Sequence, residues 1–415
     1  MKPLLIIIIF FFAIAHSNAQ SVMSLDSVLT VIDTNNPVVK MYNADIQSTD
    51  EAVKGAKSWM PPELGTGLWM VPYKTSLWKK SIDGTNGMGQ YIISVQQMIP
   101  NKKELEANEK YMQAQSSVTK DTKQSSLNEL YALAKKSYYD WLIGEKKMSV
   151  LDDNQKLLNF MIQSAELRYK NNLGKLNAYY KAKAAFGQIE NQRVIIRNEI
   201  SQQQIILNTL MNRKKTTEFF IDTLYILKTY KTVDSNYFIN TRSDIKAINK
   251  NIDLTYLQQD LERSKLKPQF GIGYDHMFGF GGFPMQYTLM ATVKLPIASW
   301  SSKNYKANIE SLKWKAQSYE AQKQMLLNEA SGEANGLMAS INSKKKQLQL
   351  FEENIIPALK RNYQTTQLAY EQNTGELFEL FDAWQTLNMT ELDYLDQLQQ
   401  LLDLQVQMDK ILEQK

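Results

Sequence analysis

The chain has 415 residues, no cysteine, two histidines and a formal charge of +5. That composition excludes a disulfide scaffold and a thiolate site, and a lone His276 beyond the leader excludes a histidine-built metal centre or relay. The charge excess is thin and spread along the chain, so no nucleic-acid patch is expected. Carboxylates are scattered along helical segments without a pocket, and no catalytic residue, metal ligand or cofactor is assigned.

Residues 1–19 are predicted to be a secretory signal peptide. Lys2 precedes an apolar run from Leu4 to Ala15, and Ser17-Asn18-Ala19 supplies the small residues before Gln20. The run is too short for a comfortable membrane span of about 20 residues, and no other apolar stretch reaches that length. If the protein crosses a membrane, it does so with strands.

Beyond the leader the chain repeats itself at long period, a feature that precedes any local motif in weight. Pro62-Glu63-Leu64-Gly65-Thr66-Gly67 is echoed by Pro268-Gln269-Phe270-Gly271-Ile272-Gly273. Gln90-Tyr91, closing at Pro100, is echoed by Gln286-Tyr287, closing at Pro296. Leu167-x-Tyr169-x-x-Asn172-x-Gly174-x-Leu176 is echoed by Leu368-x-Tyr370-x-x-Asn373-x-Gly375-x-Leu377. The order is kept at offsets of 206, 196 and 201, which is the mark of an internal duplication.

In chain order the expected segments are an N-terminal helix (20–60), a first β-hairpin (61–99) and a first helical hairpin (100–212). A connector between the halves (213–243) and a helix (244–267) follow, then a second β-hairpin (268–297) and a second helical hairpin (298–415). In each hairpin the period-two alternation puts one apolar set on one face. Tyr91, Ile93 and Val95 oppose Ile92, Ser94 and Gln96, while Tyr287, Leu289, Ala291 and Val293 oppose Thr288, Met290, Thr292 and Lys294. Such alternation over about ten residues is the transmembrane-barrel pattern.

The helical segments carry heptad spacing at Leu312, Tyr319 and Leu326, at Ile341, Leu348 and Ile355, and at Leu380, Leu387, Tyr394 and Leu401. Pro357 is expected to kink its helix. About 70 helical residues would reach roughly 105 Å, several times the depth of a bilayer core. Four strands cannot close a barrel, so their edges must be covered by other copies. Three copies give the first strand count with room for a watery lumen. The fold class expected is therefore a transmembrane β-barrel joined to a long α-helical barrel, from an internally duplicated protomer closing as a homotrimer.

At these paired strand starts, strand-to-helix prolines and Tyr…Asn-x-Gly-x-Leu stretches, the chain resembles the outer-membrane efflux proteins, the TolC-like family. The resemblance covers essentially the whole length after the leader, and Asn373–Trp384 is its most specific part. It implies an exit duct in the outer membrane of a diderm bacterium, extended into the periplasm. The partners implied are a periplasmic adaptor and an inner-membrane pump of RND or ABC type. It also implies that Asn172, Gly174, Leu176, Asn373, Gly375 and Leu377 form the turn an adaptor grips. One departure is that four residues separate the aromatic from the glycine in both repeats, where the family commonly has two.

The residues themselves give a parallel reading of those turns. Asparagine and glycine at a helix end tolerate left-handed backbone, so Gly174 and Gly375 are expected to turn the chain. Glu376, Glu379 and Asp382 lie three apart on one helix stripe, and three copies would make an acidic ring favouring cations. A solvated outward face is the competing reading. His276, Met277, Met285 and Met290 sit at one hairpin, either as adaptable apolar filler or as soft ligands. A soluble periplasmic coiled-coil adaptor or scaffold is the alternative function, and it leaves the duplicated amphipathic hairpins unexplained.

Overall fold

The computed structural model describes residues 22–172 and 176–415, so the leader and Gly174 lie outside the described residues. The elements run in the order β1 (Val22–Met23), α1 (Leu25–Asn35), α2 (Pro37–Val53), β2 (Glu63–Trp69), β3 (Gln90–Ile99), α3 (Lys102–Lys170), α4 (Leu176–Leu210) and β4 (Phe220–Ile221). Then come α5 (Ser235–Thr241), α6 (Ser243–Lys265), β5 (Gln269–Gly279), β6 (Gln286–Lys294), α7 (Ser299–Leu350), a π-helical turn (Phe351–Ile355), α8 (Ile356–Glu371) and α9 (Leu377–Ile411). The described residues divide into two compact units, one of 38–128, 232–336 and 411–415, the other formed by 22–37, 129–231 and 337–410 without the undescribed positions.

The first unit holds an antiparallel sheet in the order β2-β3-β5-β6. Register aligns the two repeats on one face, pairing Leu64 with Val95, Val95 with Tyr274, and Tyr274 with Leu289. The next row on that face pairs Thr66 with Ile93, Ile93 with His276, and His276 with Tyr287. This face is bare, with Leu64 77% and Leu289 74% exposed. The opposite face places Ser94 beside Gly65 and Asp275, and Gln96 beside Gly273. That face is crowded: a β-carbon on Gly271 would lie 2.6 Å from Thr292 Oγ1 and 2.7 Å from Met98 Sδ. Glycine lets the backbone close in where the polar side chains converge.

Helices in this unit follow the same order as the strands. Ser126 Oγ on α3 bonds Tyr42 of α2 at 2.9 Å, and Lys250 of α6 pairs with Asp121 of α3 at 2.7 Å. Asn308 of α7 donates to Glu262 of α6 at 3.2 Å. The row is thus α2-α3-α6-α7. The N-terminal stretch expected as one helix is broken at Asn36, because Pro37 has no N–H to continue the ladder and starts a second helix instead.

The second unit is helical apart from β1 pairing in parallel with β4. Its helices pack through apolar stripes at the expected spacing, burying Ile341, Leu348, Leu380 and Leu401. A buried lysine anchors the far end of α9: Lys135 and Lys228 both reach Asp409 Oδ2 at 2.6 Å, and Tyr230 donates to Asp409 Oδ1 at 2.8 Å. Burial pulls the Lys135 ammonium below its ordinary range, against the opposing pull of Asp409. Pro357 does not break its helix. A π-turn precedes it, with Ile356 N–H bonding Phe351 O, and this wider turn absorbs the missing donor and the ring.

Candidate functional site at the helical turns

The turn from α8 to α9 is built by the tail of the third repeated motif. Gln372 N–H bonds Leu368 O at 2.9 Å, and Thr374 and Gly375 N–H both reach Ala369 O, at 2.9 and 3.0 Å. The left-handed residue is Asn373, at φ 58°, and its repeat partner Asn172 has φ 60°. Of the two residue types expected to tolerate that backbone, asparagine takes it, and Gly375 is not left-handed. Its role is close approach, since a β-carbon there would stand 3.1 Å from Ala369 Cβ and 3.3 Å from Tyr370 N.

Around this turn a cluster joins α3 to α8. Tyr370 is buried, 2% exposed, and its hydroxyl bonds Ser164 Oγ at 2.8 Å. The Arg168 guanidinium lies over the Tyr370 ring, 4.2 Å from its centre, and donates to Tyr370 O at 3.2 Å and to Asn373 Oδ1. A planar cation on an aromatic face, with carbonyls at its edge, gains both charge–quadrupole attraction and directed hydrogen bonds. A second such contact joins α4 to α9, with Lys181 Nζ 4.1 Å from the Phe378 ring centre and 4.4 Å from that of Phe381. Beneath lies an apolar core of Leu158, Met161, Ile189, Tyr363, Leu380 and Trp384, and the Trp384 indole donates to buried Asn154 at 2.7 Å.

The candidate residues from the sequence distribute unevenly over this geometry. Asn172 and Asn373 are exposed at their turns, Leu176 is exposed, and Leu377 packs partly buried against the core. Glu379 and Asp382 are exposed on the first turns of α9, and Glu376 is exposed just before it. Glu379 folds back to accept from Glu376 N–H at 3.4 Å, a weak helix-start cap. Arg168, Ser164 and Lys181 were not singled out by sequence reasoning. Arg168 occupies the position where the second repeat has Ala369, and that mismatch inside a duplicated motif was the available signal.

At the sheet, the four soft-ligand candidates do not converge. His276 points to the apolar face, its ring 4.4 Å from that of Phe278. Met277 and Met290 lie on the other face, paired with Gln286 and Gly273, and Met285 is exposed beyond the strand. Among the described residues no helix is long and apolar enough to cross a membrane.

No protein-family model and no curated protein matches the chain. Solved structures do. The outer-membrane channel OprN matches with a TM-score of 0.76 and 12% identity, covering 94% of this chain and 90% of that one. The outer-membrane protein VceC of Vibrio cholerae matches at 0.72 and 14%, over 94% and 95%. The open state of the Neisseria gonorrhoeae outer-membrane channel MtrE matches at 0.73 and 13%, over 94% and 88%. The chain has the fold of an outer-membrane channel protomer. At such low identity the shared element order is carried by packing and pattern rather than by retained side chains. In this channel fold the bare apolar sheet face and the paired helical turns are the two surfaces left to explain.

Proposed function

We propose that the chain is one third of a homotrimeric outer-membrane exit duct, passively conducting small molecules or ions delivered by a periplasmic adaptor and an inner-membrane pump. The observation that carries this reading is the two-faced sheet. Its exposed face is apolar across all four strands, while the crowded face gathers Ser94, Gln96, Asp275 and Thr292. Contiguous exposed apolar faces are rare on soluble proteins and mark interaction or membrane surfaces, and period-two alternation with the apolar set outward suits lipid. Open edges at β2 and β6 call for neighbouring copies, and three copies supply twelve strands around a wet interior.

The turns at Asn172 and Asn373 are the surface offered to the adaptor, with Leu176 as the exposed apolar contact. Glu376, Glu379 and Asp382 line the narrow end as an acidic ring. Arg168 and Lys181, bridging the helical hairpins through aromatic faces, hold the turns together. Residues 1–19 are the export leader, and 213–243 the connector between repeats.

The test is fractionation followed by reconstitution. The protein should require detergent for release, run as a trimer by native mass spectrometry and conduct ions in a planar bilayer. Release by salt or osmotic shock alone, as for a periplasmic scaffold, would refute the duct.

A further inference from the structure

Met290 stands apart from the residues the sequence grouped it with, and the crowded sheet face gives it other neighbours. A recess of about 400 Å³ opens there, bordered by Met60, Met98 and Met290, with Glu63, Asp275 and Lys294 around them. Its floor is low because β5 carries glycine at two successive positions of that face. Register sets Met98, Gly271 and Thr292 in one row, and Gln96, Gly273 and Met290 in the next.

The backbone brings the three methionines to one place from three directions. Met98 bends its chain over β5, its Sδ 2.7 Å from where a Gly271 β-carbon would stand, and Thr292 Oγ1 reaches the same spot at 2.6 Å. Met290 comes from β6, its Cβ 3.9 Å from the corresponding point over Gly273. Successive positions on one face of a strand are about 7 Å apart, a gap that two unbranched thioether chains span through their several torsions. Met60 is held beside them by Gln97, whose amide donates to Met60 O at 3.0 Å and to Met98 O at 2.7 Å. A methionine that merely fills space is buried. Met60 and Met290 are instead 59% and 46% exposed, next to carboxylates.

We propose that this recess binds a soft monovalent cation, Cu(I) or Ag(I), through the sulfurs of Met60, Met98 and Met290. Thioether sulfur is a neutral, polarizable donor that suits these ions and not the hard or borderline divalent ones. Among the described residues no group of three His, Cys, Asp or Glu side chains could hold a metal ion, so a hard cation finds no ligand set of that kind. Charge fits as well. Glu63 and Asp275 against Lys294 leave one negative charge at the recess, which one monovalent ion neutralises. The proposal rests on the duct reading for placing this face on the conduit wall, and it adds to that wall a resting place for a soft ion.

The chain has no cysteine, so no thiolate competes for a soft ion. The full-length protein in detergent, titrated with silver nitrate in chloride-free buffer, should take up about one ion per protomer, with sulfur as the ion's nearest neighbour by X-ray absorption. Met98→Leu with Met290→Leu keeps volume and apolarity. It should weaken uptake about tenfold or more, the least that loss even of a ligand's hydrogen-bond partner costs a metal site. Met277→Leu with Met285→Leu, outside the recess, should leave uptake unchanged, and Zn²⁺ should not displace silver. The absorption spectrum of the unaltered protein reads the site whether or not a variant folds. Equal uptake by both double variants, silver without sulfur neighbours, or displacement by Zn²⁺ overturns the site; if the same preparation conducts ions as a trimer, the duct reading stands. Sulfur-bound silver that is lost with Met98 and Met290, in a protein that neither trimerises nor conducts, supports the site and overturns the duct.

Discussion

Arg168 and Tyr370 meet face to face across α3 and α8, the guanidinium 4.2 Å from the ring centre and bonded to the Tyr370 carbonyl. Tyr370 is fixed below by Ser164, so the arginine closes a stack that ties the two repeats at their turns. A partly buried cation–π contact is worth roughly 1–2 kcal/mol, or about a 5–30-fold shift in a two-state equilibrium. Arg168→Ala should therefore raise the open probability of reconstituted channels by that order. Arg168→Lys should recover only part of it, because lysine keeps the charge and loses the planar stack. Single-channel recording decides; equal open probability in all three would remove the clasp from gating.

Asn373 and Gly375 do different jobs in one turn, and substitutions should separate them. Asn373→Gly keeps the left-handed backbone and loses only the Arg168 partner, so its cost should be small. Gly375→Ala pushes a methyl to 3.1 Å from Ala369 and should destabilise by about 1–2 kcal/mol. Thermal unfolding of the two variants checks the ranking.

The sheet should respond to charge on one face only. Leu289 and Thr288 are sequence neighbours on opposite faces. Leu289→Lys should cost about 2–4 kcal/mol if its site is near the bilayer midplane, and Thr288→Lys much less. Denaturant unfolding from lipid vesicles measures both, and equal costs would contradict a lipid-facing surface.

Charge at the start of α9 should govern ion preference. Glu379→Gln with Asp382→Asn should lower the cation-to-anion permeability ratio, read from reversal potentials under a salt gradient. An unchanged ratio would place both carboxylates on a solvated outer face.

Alkaline pH should loosen the helical unit. Burial pushes the Tyr138 hydroxyl, which donates to Asp222 O at 2.9 Å, up to about 12 from an ordinary 10. Burial likewise raises Tyr131 and Tyr230, with Asp33 and Asp409 beside them adding to the effect. A hydroxyl whose folded value is raised contributes stability that is complete below pH 10 and lost as pH climbs through 12. For Tyr138 the loss is on the order of 2 kcal/mol. Tyr138→Phe should flatten that part of the decline in melting temperature between pH 9 and 12.

Much of this architecture was legible in the residues. The hairpins were readable because lipid-facing and inward-facing positions alternate with period two, so Leu64, Tyr91, Phe270 and Leu289 announce a common face before any pairing is known. The long helices were readable because heptads such as Leu380, Leu387, Tyr394 and Leu401 keep one stripe turned to a neighbour. One local detail was misjudged for a local reason: Pro37 starts a second helix where one continuous stretch was expected. At Pro357 the expected local distortion without loss of the helical pattern takes the form of a π-turn just ahead of it, through which the helix continues. Of the asparagine and glycine that both tolerate left-handed backbone, Asn373 takes it, while Gly375 serves close approach to Ala369.

The sequence alone determined the duplication, the alternation and the asparagine–glycine turns, since these are set by short-range sterics and by which side chains avoid water. What it could not determine is which copy of a repeated motif does which task. Tyr169 and Tyr370 occupy the same place in their repeats, yet one is 46% exposed and the other 2%. Only the packing of α3 against α8 decides this, by bringing Arg168 and Ser164 to the second tyrosine and leaving the first to solvent. A contact between residues some two hundred positions apart has no signature in either local segment, because its energy exists only once both surfaces are assembled.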